Sequence, residues 1–291
     1  MLYPEKNIAI HPQSQAIKEF GIKVKRLNPL GKEKHTLSEP HRHDYYEIIL
    51  LEKGSGIHAV DFEEHQMHDN ACYLLAPDSI HHFDTITKAV MQGWLLEISK
   101  EYMQTLDGKF GVLFCKNRGK MTLTIPENDK IKLASLFQLM LMEQENKQAQ
   151  SNEIIAGYLK ILMLELARQL ETEQQEEAHK PDERFVAFLE WVEILHKEVK
   201  SITAYADKVH LSHRQLNRIC LEHTGKTANQ ILNERVNLEA KRLLFNNSSS
   251  AKETGYALGF DDPSNFIKFF KRHNGQSPTE FKTSMSKIYH Q

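Results

Sequence analysis

The chain has 291 residues, 40% apolar and 26% charged, with a formal net charge of −2, which suits two globular domains with buried cores. No apolar run reaches membrane-spanning length and MLYPEKNIAI is no signal peptide, so the expected location is cytoplasmic, with no membrane partner. Cys72, Cys115 and Cys220 are too scattered for a disulfide frame or a zinc knuckle and read as free thiols in a reducing compartment.

Residues 1–100 read as short strands. GIKVKRL, YYEIILL, GIHAVDF, ACYLLAP and VMQGWLLEI are rich in Val, Ile, Tyr, Phe and Leu, and clusters such as KGSG and APDS read as the turns between them. Strands at this spacing without long helices between them predict an antiparallel barrel or sandwich.

The pattern changes at Asp129. Ile131, Leu133, Leu136, Leu139, Met140 and Met142 form one apolar helical stretch. Ile154, Ile155, Tyr158, Leu159, Leu162, Met163, Leu166 and Leu170 form a second. A short polar turn between them predicts an antiparallel helical hairpin. The second helix has apolar residues on more than one side, which suits cover by a partner subunit. ETEQQEEAHKPDE then reads as a solvated linker, with a domain boundary near Pro181. From Pro181 onward there are 16 Lys/Arg against 13 Asp/Glu, so the modest positive charge of the protein lies at this end.

From Arg184 the pattern is helical. Phe185, Phe188, Leu189, Val192, Leu195 and Val199 share one face. Ala204–Val209 makes a short helix, Ser212 caps the next, and Ala228–Phe245 makes a longer one. Ala251–Leu258 follows, then a helix capped by Asp262 with Pro263 at its first position, where proline loses no needed hydrogen bond.

This region contains one unit twice. LSHRQLNRICLEHTGKTANQIL and DDPSNFIKFFKRHNGQSPTEFK align without a gap at an offset of fifty positions. Each opens on a small polar or acidic residue, continues as an apolar i, i+3, i+4 stripe and stops at a glycine. Two such units predict paired helix-turn-helix elements. Leu216, Ile219 and Cys220, with Phe266, Phe269 and Phe270, should be buried. The outer faces carry Ser212, His213, Arg214, Asn217 and Arg218 in one unit and Ser264, Asn265, Ile267, Lys268, Lys271 and Arg272 in the other. Arg and Asn can make paired contacts to base edges, and Lys and Arg neutralise phosphates.

Residues 185–285 closely resemble the DNA-binding domain of the AraC/XylS family of bacterial transcription regulators. The turn LGF, the opening DDPSNF, the segment FFKRHNG and the closing SPTEF carry the resemblance, with ERVNLEAKRLL as linker helix. It implies two recognition helices entering successive major grooves, with base contacts on Arg214, Asn217, Arg218, Ser264, Ile267 and Lys268. Thr254-Gly255 departs from the family's usual Ile-Ala and should loosen its helix, and Lys282 replaces an Arg. Ile267 stands where a small polar residue is usual. It offers a base only apolar contact, so the first unit should read sequence more strictly.

A second constellation is His41-Arg-His43-Asp-Tyr-Tyr-Glu47 with Gly54, followed by Pro77-Asp-Ser-Ile-His81-His82. It resembles the cupin motifs, complete in the first and with Ser79 for glycine in the second, which assigns the last position to His82. On a strand His41, His43 and Glu47 share a face. His41, His43, Glu47 and His82 are therefore the candidate effector-binding set. The same four are the alternative ligand set for a divalent Mn, Fe, Ni or Zn ion; no other cofactor is expected. His58, His65 and His68 read as surface residues.

The expected fold is α+β in two domains: a cupin-like antiparallel barrel (1–115) with a helical hairpin and linker (116–183), then an all-α domain of two helix-turn-helix units (184–291). The expected function is a dimeric transcription regulator that binds promoter DNA and a small-molecule effector, with RNA polymerase as a further candidate partner. Two rivals are a metal-dependent cupin enzyme fused to a DNA-binding domain, and a constitutive DNA binder whose barrel only dimerises. No Ser/His/Asp or Cys/His grouping, phosphate loop or dinucleotide fingerprint points to catalysis.

Overall fold

A computed structural model describes residues 9–27, 39–84, 90–106, 108–114, 122–173, 182–198, 200–245 and 249–289. Cys115, Val199, Pro181 and most of the linker lie outside them. The chain forms two compact units, Ile10–Lys180 and Pro181–Gln291.

The first unit is built around one long strand. Strand β4 (Tyr46–Val60) belongs to two sheets, both antiparallel. Its first part pairs with β8 (Val90–Ile98) and β6 (Ala71–Leu75); β2 (Ile22–Leu27) extends the sheet beyond β8, and β9 (Thr122–Thr124) beyond β6. Its second part pairs with β5 (Glu63–Met67) and β7 (His81–Asp84), and β3 (His41–His43) and β1 (Ala9–His11) continue from β7.

KGSG is therefore no turn. The strand runs straight through it, with a register shift between Leu51 and Lys53. A bulge there raises the local twist, which lets one strand change sheets. Gly54 is needed for close approach: a Cβ on it would lie 2.7 Å from Leu51 Cδ1 and 2.9 Å from the His68 carbonyl oxygen.

The apolar runs of the first sheet are continuous because both of its faces are covered. Ile48, Leu50, Cys72, Leu74, Trp94 and Leu96 point to one core. There they meet Leu133, Phe137 and Met140 of α3 (Glu127–Asn146) and Leu159, Met163 and Leu166 of α4 (Ser151–Glu173). The residues between them, Ile49, Leu51, Tyr73, Leu75 and Leu95, fill the interior between the sheets with Val60 and Phe83. The hairpin α3–α4 thus shares a core with the sheet. Gln144 on α3 completes the contact, as its amide accepts from Val24 N at 2.7 Å and donates to Val24 O at 3.0 Å. Two short helices that strand propensity did not indicate, α1 (Gln15–Phe20) and α2 (Lys100–Thr105), are capped by Ser14 and Ser99.

The second unit is all helix: α5 (Glu183–Leu195), α6 (Ile202–Lys208), α7 (His213–Thr224), α8 (Ala228–Phe245), α9 (Ala251–Ala257), α10 (Pro263–Asn274) and α11 (Pro278–Tyr289). The repeat shows in the caps. Ser212 closes a capping box with Gln215, Asp262 accepts from Ser264 N, and left-handed Gly225 and Gly275 end α7 and α10. Leu216, Ile219, Cys220, Phe266 and Phe270 are buried. Phe269 is only half-buried, in ring contact with Phe260 and His273. Glu239 of α8 is buried and accepts from Arg235 and Lys197, and Arg235 also bonds Glu193 of α5 at 2.7 Å.

Gly255, expected to loosen its helix, also has a packing role. It lets α9 approach α10, since a Cβ there would lie 3.1 Å from Phe266 Cβ.

Candidate functional site

Two sites emerge, one in each unit. In the first, β3, β4 and β7 aim imidazoles and a carboxylate into the sheet interior. His41 and His43 are two apart on β3, and Glu47 shares the inward face of β4 with Ile49 and Leu51. The third element supplies His81, and not His82, whose strand position faces the other way. His43, Glu47 and His81 are buried, and their donor atoms lie within 4.8 Å of one another. His43 Nε2 is 2.7 Å from Glu47 Oε2, and His81 Nε2 is 3.7 Å from it. His41 packs against His81 at a ring distance of 4.2 Å and against His11 at 4.3 Å.

His58 is fully buried, contrary to its reading as a surface residue. It stacks on Phe83, and its Nε2 lies 3.3 Å from His81 Nδ1. Half-buried His65 is its partner across β4 and β5, and His68, beyond the end of β5, is exposed.

The tautomers are set from behind. His43 Nδ1 faces the Tyr45 carbonyl at 2.8 Å and His41 Nδ1 faces the Glu39 carbonyl at 3.0 Å. Burial lowers the pKa of His41 to about 4 and holds His58 and His81 well below the ordinary imidazole value, so these rings are neutral at pH 7. At His43 burial also opposes charge, but the adjacent Glu47 carboxylate outweighs it and raises the pKa. A cavity of about 150 Å³ opens beside this group, lined by His41, His43, Glu47, Lys25, Tyr45 and Glu97 among others. Lys25 and Glu97 pair at 2.7 Å on its wall. The cavity can hold a small polar ligand by hydrogen bonds to neutral imidazoles and to a carboxylate.

The second site is the outer surface of α7 and α10. Ser212, His213, Arg214 and Arg218 are exposed, with Arg218 3.7 Å from Glu222. Asn217 is half-buried; its Oδ1 accepts from Ala228 N at 2.9 Å. On α10, Ser264, Asn265, Ile267, Lys268, Lys271 and Arg272 are all exposed. Both helices bury their opposite faces, so each presents a polar and basic ridge to solvent.

The family profile described as an AraC-like ligand binding domain matches residues 31–159, and one described as a helix-turn-helix domain matches residues 205–284. The chain belongs to the AraC family of transcription regulators. Its AraC-type architecture, a curled antiparallel sheet followed by a helical helix-turn-helix domain, is the one seen here. The HTH-type transcriptional activator RhaS of Enterobacter sp. (strain 638) is 25% identical over 246 residues, covering 83% of this chain and 86% of its own. RhaS of Escherichia fergusonii is 26% identical over the same shares. Among solved structures, ToxT of Vibrio cholerae strain SCE256 with bound unsaturated fatty acid aligns over 90% of this chain and 94% of its own, at 16% identity and a TM-score of 0.38.

His11, His58, His81, Lys25 and Glu97 of the barrel site escaped the sequence reading. Their signal was strand alternation: Lys25 and His58 each stand two residues before an apolar side chain of the interior, Leu27 and Val60.

Proposed function

We propose that this AraC-family protein is a sequence-specific transcription regulator whose barrel binds a small-molecule effector. The observation that carries it is the pairing, in one chain, of a buried His- and Glu-lined cavity with two basic, solvent-facing helices at a fixed repeat. His41, His43, Glu47 and His81 would hydrogen-bond the effector. Arg214, Arg218, Ser264, Asn265, Ile267, Lys268, Lys271 and Arg272 would meet double-stranded promoter DNA, α7 and α10 entering successive major grooves. The protein works by binding and not by catalysis, in the cytoplasm; among the described residues no helix is long and apolar enough to cross a membrane. The name shared by the RhaS relatives, transcriptional activator, makes RNA polymerase a further partner.

Self-association through the hairpin belongs to the same reading. Ile154, Ile161 and Leu164 lie exposed along α4 at spacings of seven and three, and Ile131, Leu139 and Met142 lie exposed on α3. An apolar stripe at that period suits a helix of a second copy. Effector binding would then favour the arrangement in which paired DNA-binding domains match their half-sites.

One observation favours a second reading of the barrel. His43, Glu47 and His81 could hold a divalent ion, with the Tyr45 carbonyl and His58 orienting the ligating rings from behind. Metal analysis of the purified protein decides it: about one ion per chain, lost on His43→Ala, supports the metal, and a metal-free protein removes it.

Selection of bound sequences from a random duplex pool, with titration of the winner at two salt concentrations, tests the main reading. A long site with two motifs about one helical turn apart is expected. Binding without enrichment, fading as salt rises, would sink it.

A further inference from the structure

The side-chain amide of Asn217 has only one available orientation. Its Oδ1 accepts the backbone N–H of Ala228, the first residue of α8, at 2.9 Å. A backbone N–H can only donate, so the oxygen must be at that end of the amide. The amide nitrogen therefore faces the other way, 3.2 Å from His213 Nε2. An amide NH₂ is a donor and needs a lone pair opposite it. A neutral His213 ring that accepts at Nε2 carries its own proton on Nδ1.

His213 is the first residue of α7 and is exposed. The N-terminal end of a recognition helix is the part that reaches base edges in helix-turn-helix complexes. Asn217, by contrast, is half-buried, and its oxygen is already engaged. Paired contact from Asn to adenine needs both the oxygen and the nitrogen of the amide. One oxygen lone pair and one amide hydrogen of Asn217 are thus already committed within the protein, which holds the amide in place between His213 and the start of α8.

We propose that Asn217 is a positioning residue, which ties α7 to α8 and presents His213 as an outward Nδ1–H donor that reads a hydrogen-bond acceptor on a base edge, guanine before the others. Guanine offers two neighbouring acceptors in the major groove, N7 and O6, whereas cytosine offers only its amino donor. This rests on the DNA-binding reading of α7 and reassigns the base contact that family resemblance places on Asn217. The device belongs to the first unit alone. Fifty positions on, His213 and Asn217 correspond to Pro263 and Ile267, which can neither donate from a ring nor cap a helix.

The test is selection from random duplex DNA with the full-length chain, repeated for His213→Ala and Asn217→Asp, with thermal melts of each. The wild type should enrich a site with guanine at one position of the first half. His213→Ala, a surface change, should melt as the wild type does. It should bind that site about tenfold more weakly and accept all four bases at that position, with the rest of the motif kept. Asn217→Asp keeps an acceptor for Ala228 N–H but can only accept from His213. On a neutral ring this moves the proton to Nε2, the outward nitrogen becomes an acceptor, and the preference should move to a base with an amino donor, adenine or cytosine. A carboxylate also favours the imidazolium, which donates at both nitrogens, so the selection with this variant is run at pH 8.5. Unchanged selection by His213→Ala overturns the proposal, as does a guanine preference that survives in Asn217→Asp at that pH. A wild type that enriches no site overturns the DNA-binding reading along with it, whereas an enriched motif blind to both changes overturns this inference alone.

Discussion

Gly259 meets the carbonyl of Lys197 so closely that a Cβ built on it would overlap that oxygen. The turn before α10 is thus seated directly on the residues that follow α5. Gly259 also has φ +74°, the left-handed conformation that side chains with a Cβ resist by about 1–2 kcal/mol. Gly259→Ala adds a backbone overlap to that strain. The expected loss is about 2 kcal/mol or more in thermal unfolding, and an unchanged melting temperature would show that the turn can shift at little cost.

Thr254 invites the opposite change. Its side chain is fully buried in α9, and its Oγ1 has no hydrogen-bond partner among the described residues. A buried hydroxyl left unpaired costs about 1–3 kcal/mol. Thr254→Val keeps the shape and removes the stranded oxygen. It should raise stability by about 1 kcal/mol, read as a higher melting temperature; a lower one would mean the hydroxyl finds a partner in solution.

Acid should weaken the barrel before it weakens the helical unit. The unfolded chain takes up protons on its imidazoles near 6.5, while folded His41 resists until about 4 and His58 and His81 resist further. Between these values the unfolded state binds more protons, so stability falls as pH drops, by about 1.4 kcal/mol per pH unit for each proton withheld. His43 works the other way: its raised pKa supports the fold at low pH, and that support fades as pH rises through the folded value. This one group faces four of opposite sign, since burial also lowers the pKa of His11, with Glu47, Glu97, Lys25, Tyr45, His65 and His82 as the other titratable neighbours. Melts at pH 7.5 and pH 5 should show the loss. His58→Phe, which keeps the stack on Phe83, should make it smaller; an equal slope in that variant would remove His58 from the account.

Arg218 stands clear of the protein on α7, with its side chain 67% exposed. If it forms the paired contact to a base edge, Arg218→Ala should cost roughly 1–3 kcal/mol on the selected site and relax preference at one base pair. Equal weakening on random DNA would make it a phosphate contact instead.

On α4, Ile161→Asp should leave the unfolding of the chain unchanged at low concentration and abolish self-association in sedimentation equilibrium. A dimer that survives the change would place the contact elsewhere.

Much of the helical unit was legible because each helix announces itself locally. Ser212, Asp262, Gly225 and Gly275 act on their own backbone, and the apolar stripes of α7 and α10 need no distant partner to be recognised. Strands β2, β6 and β8 were visible for a similar reason, as runs of Val, Ile and Leu. The long β4 was not. Lys53-Gly54-Ser55-Gly56 has the chemistry of a turn, and only the bulge and the neighbouring strands turn it into a crossing between sheets. The choice between His81 and His82 was equally hidden, since one residue of register on β7 exchanges the two faces and the register is set by pairing with β4. The engagement of Asn217 depends on Ala228, eleven residues away across a turn, and no spacing rule reports it.

The passage of β4 through both sheets also bears on how the barrel comes apart. Neither sheet has a complete set of partners without it, because β6 and β8 pair with its first half and β5 and β7 with its second. The two halves therefore cannot open independently, and the first unit should unfold as a single cooperative block. Amide hydrogens of Ile48–Leu51 should be among the last to exchange with deuterium, released only when the whole barrel opens.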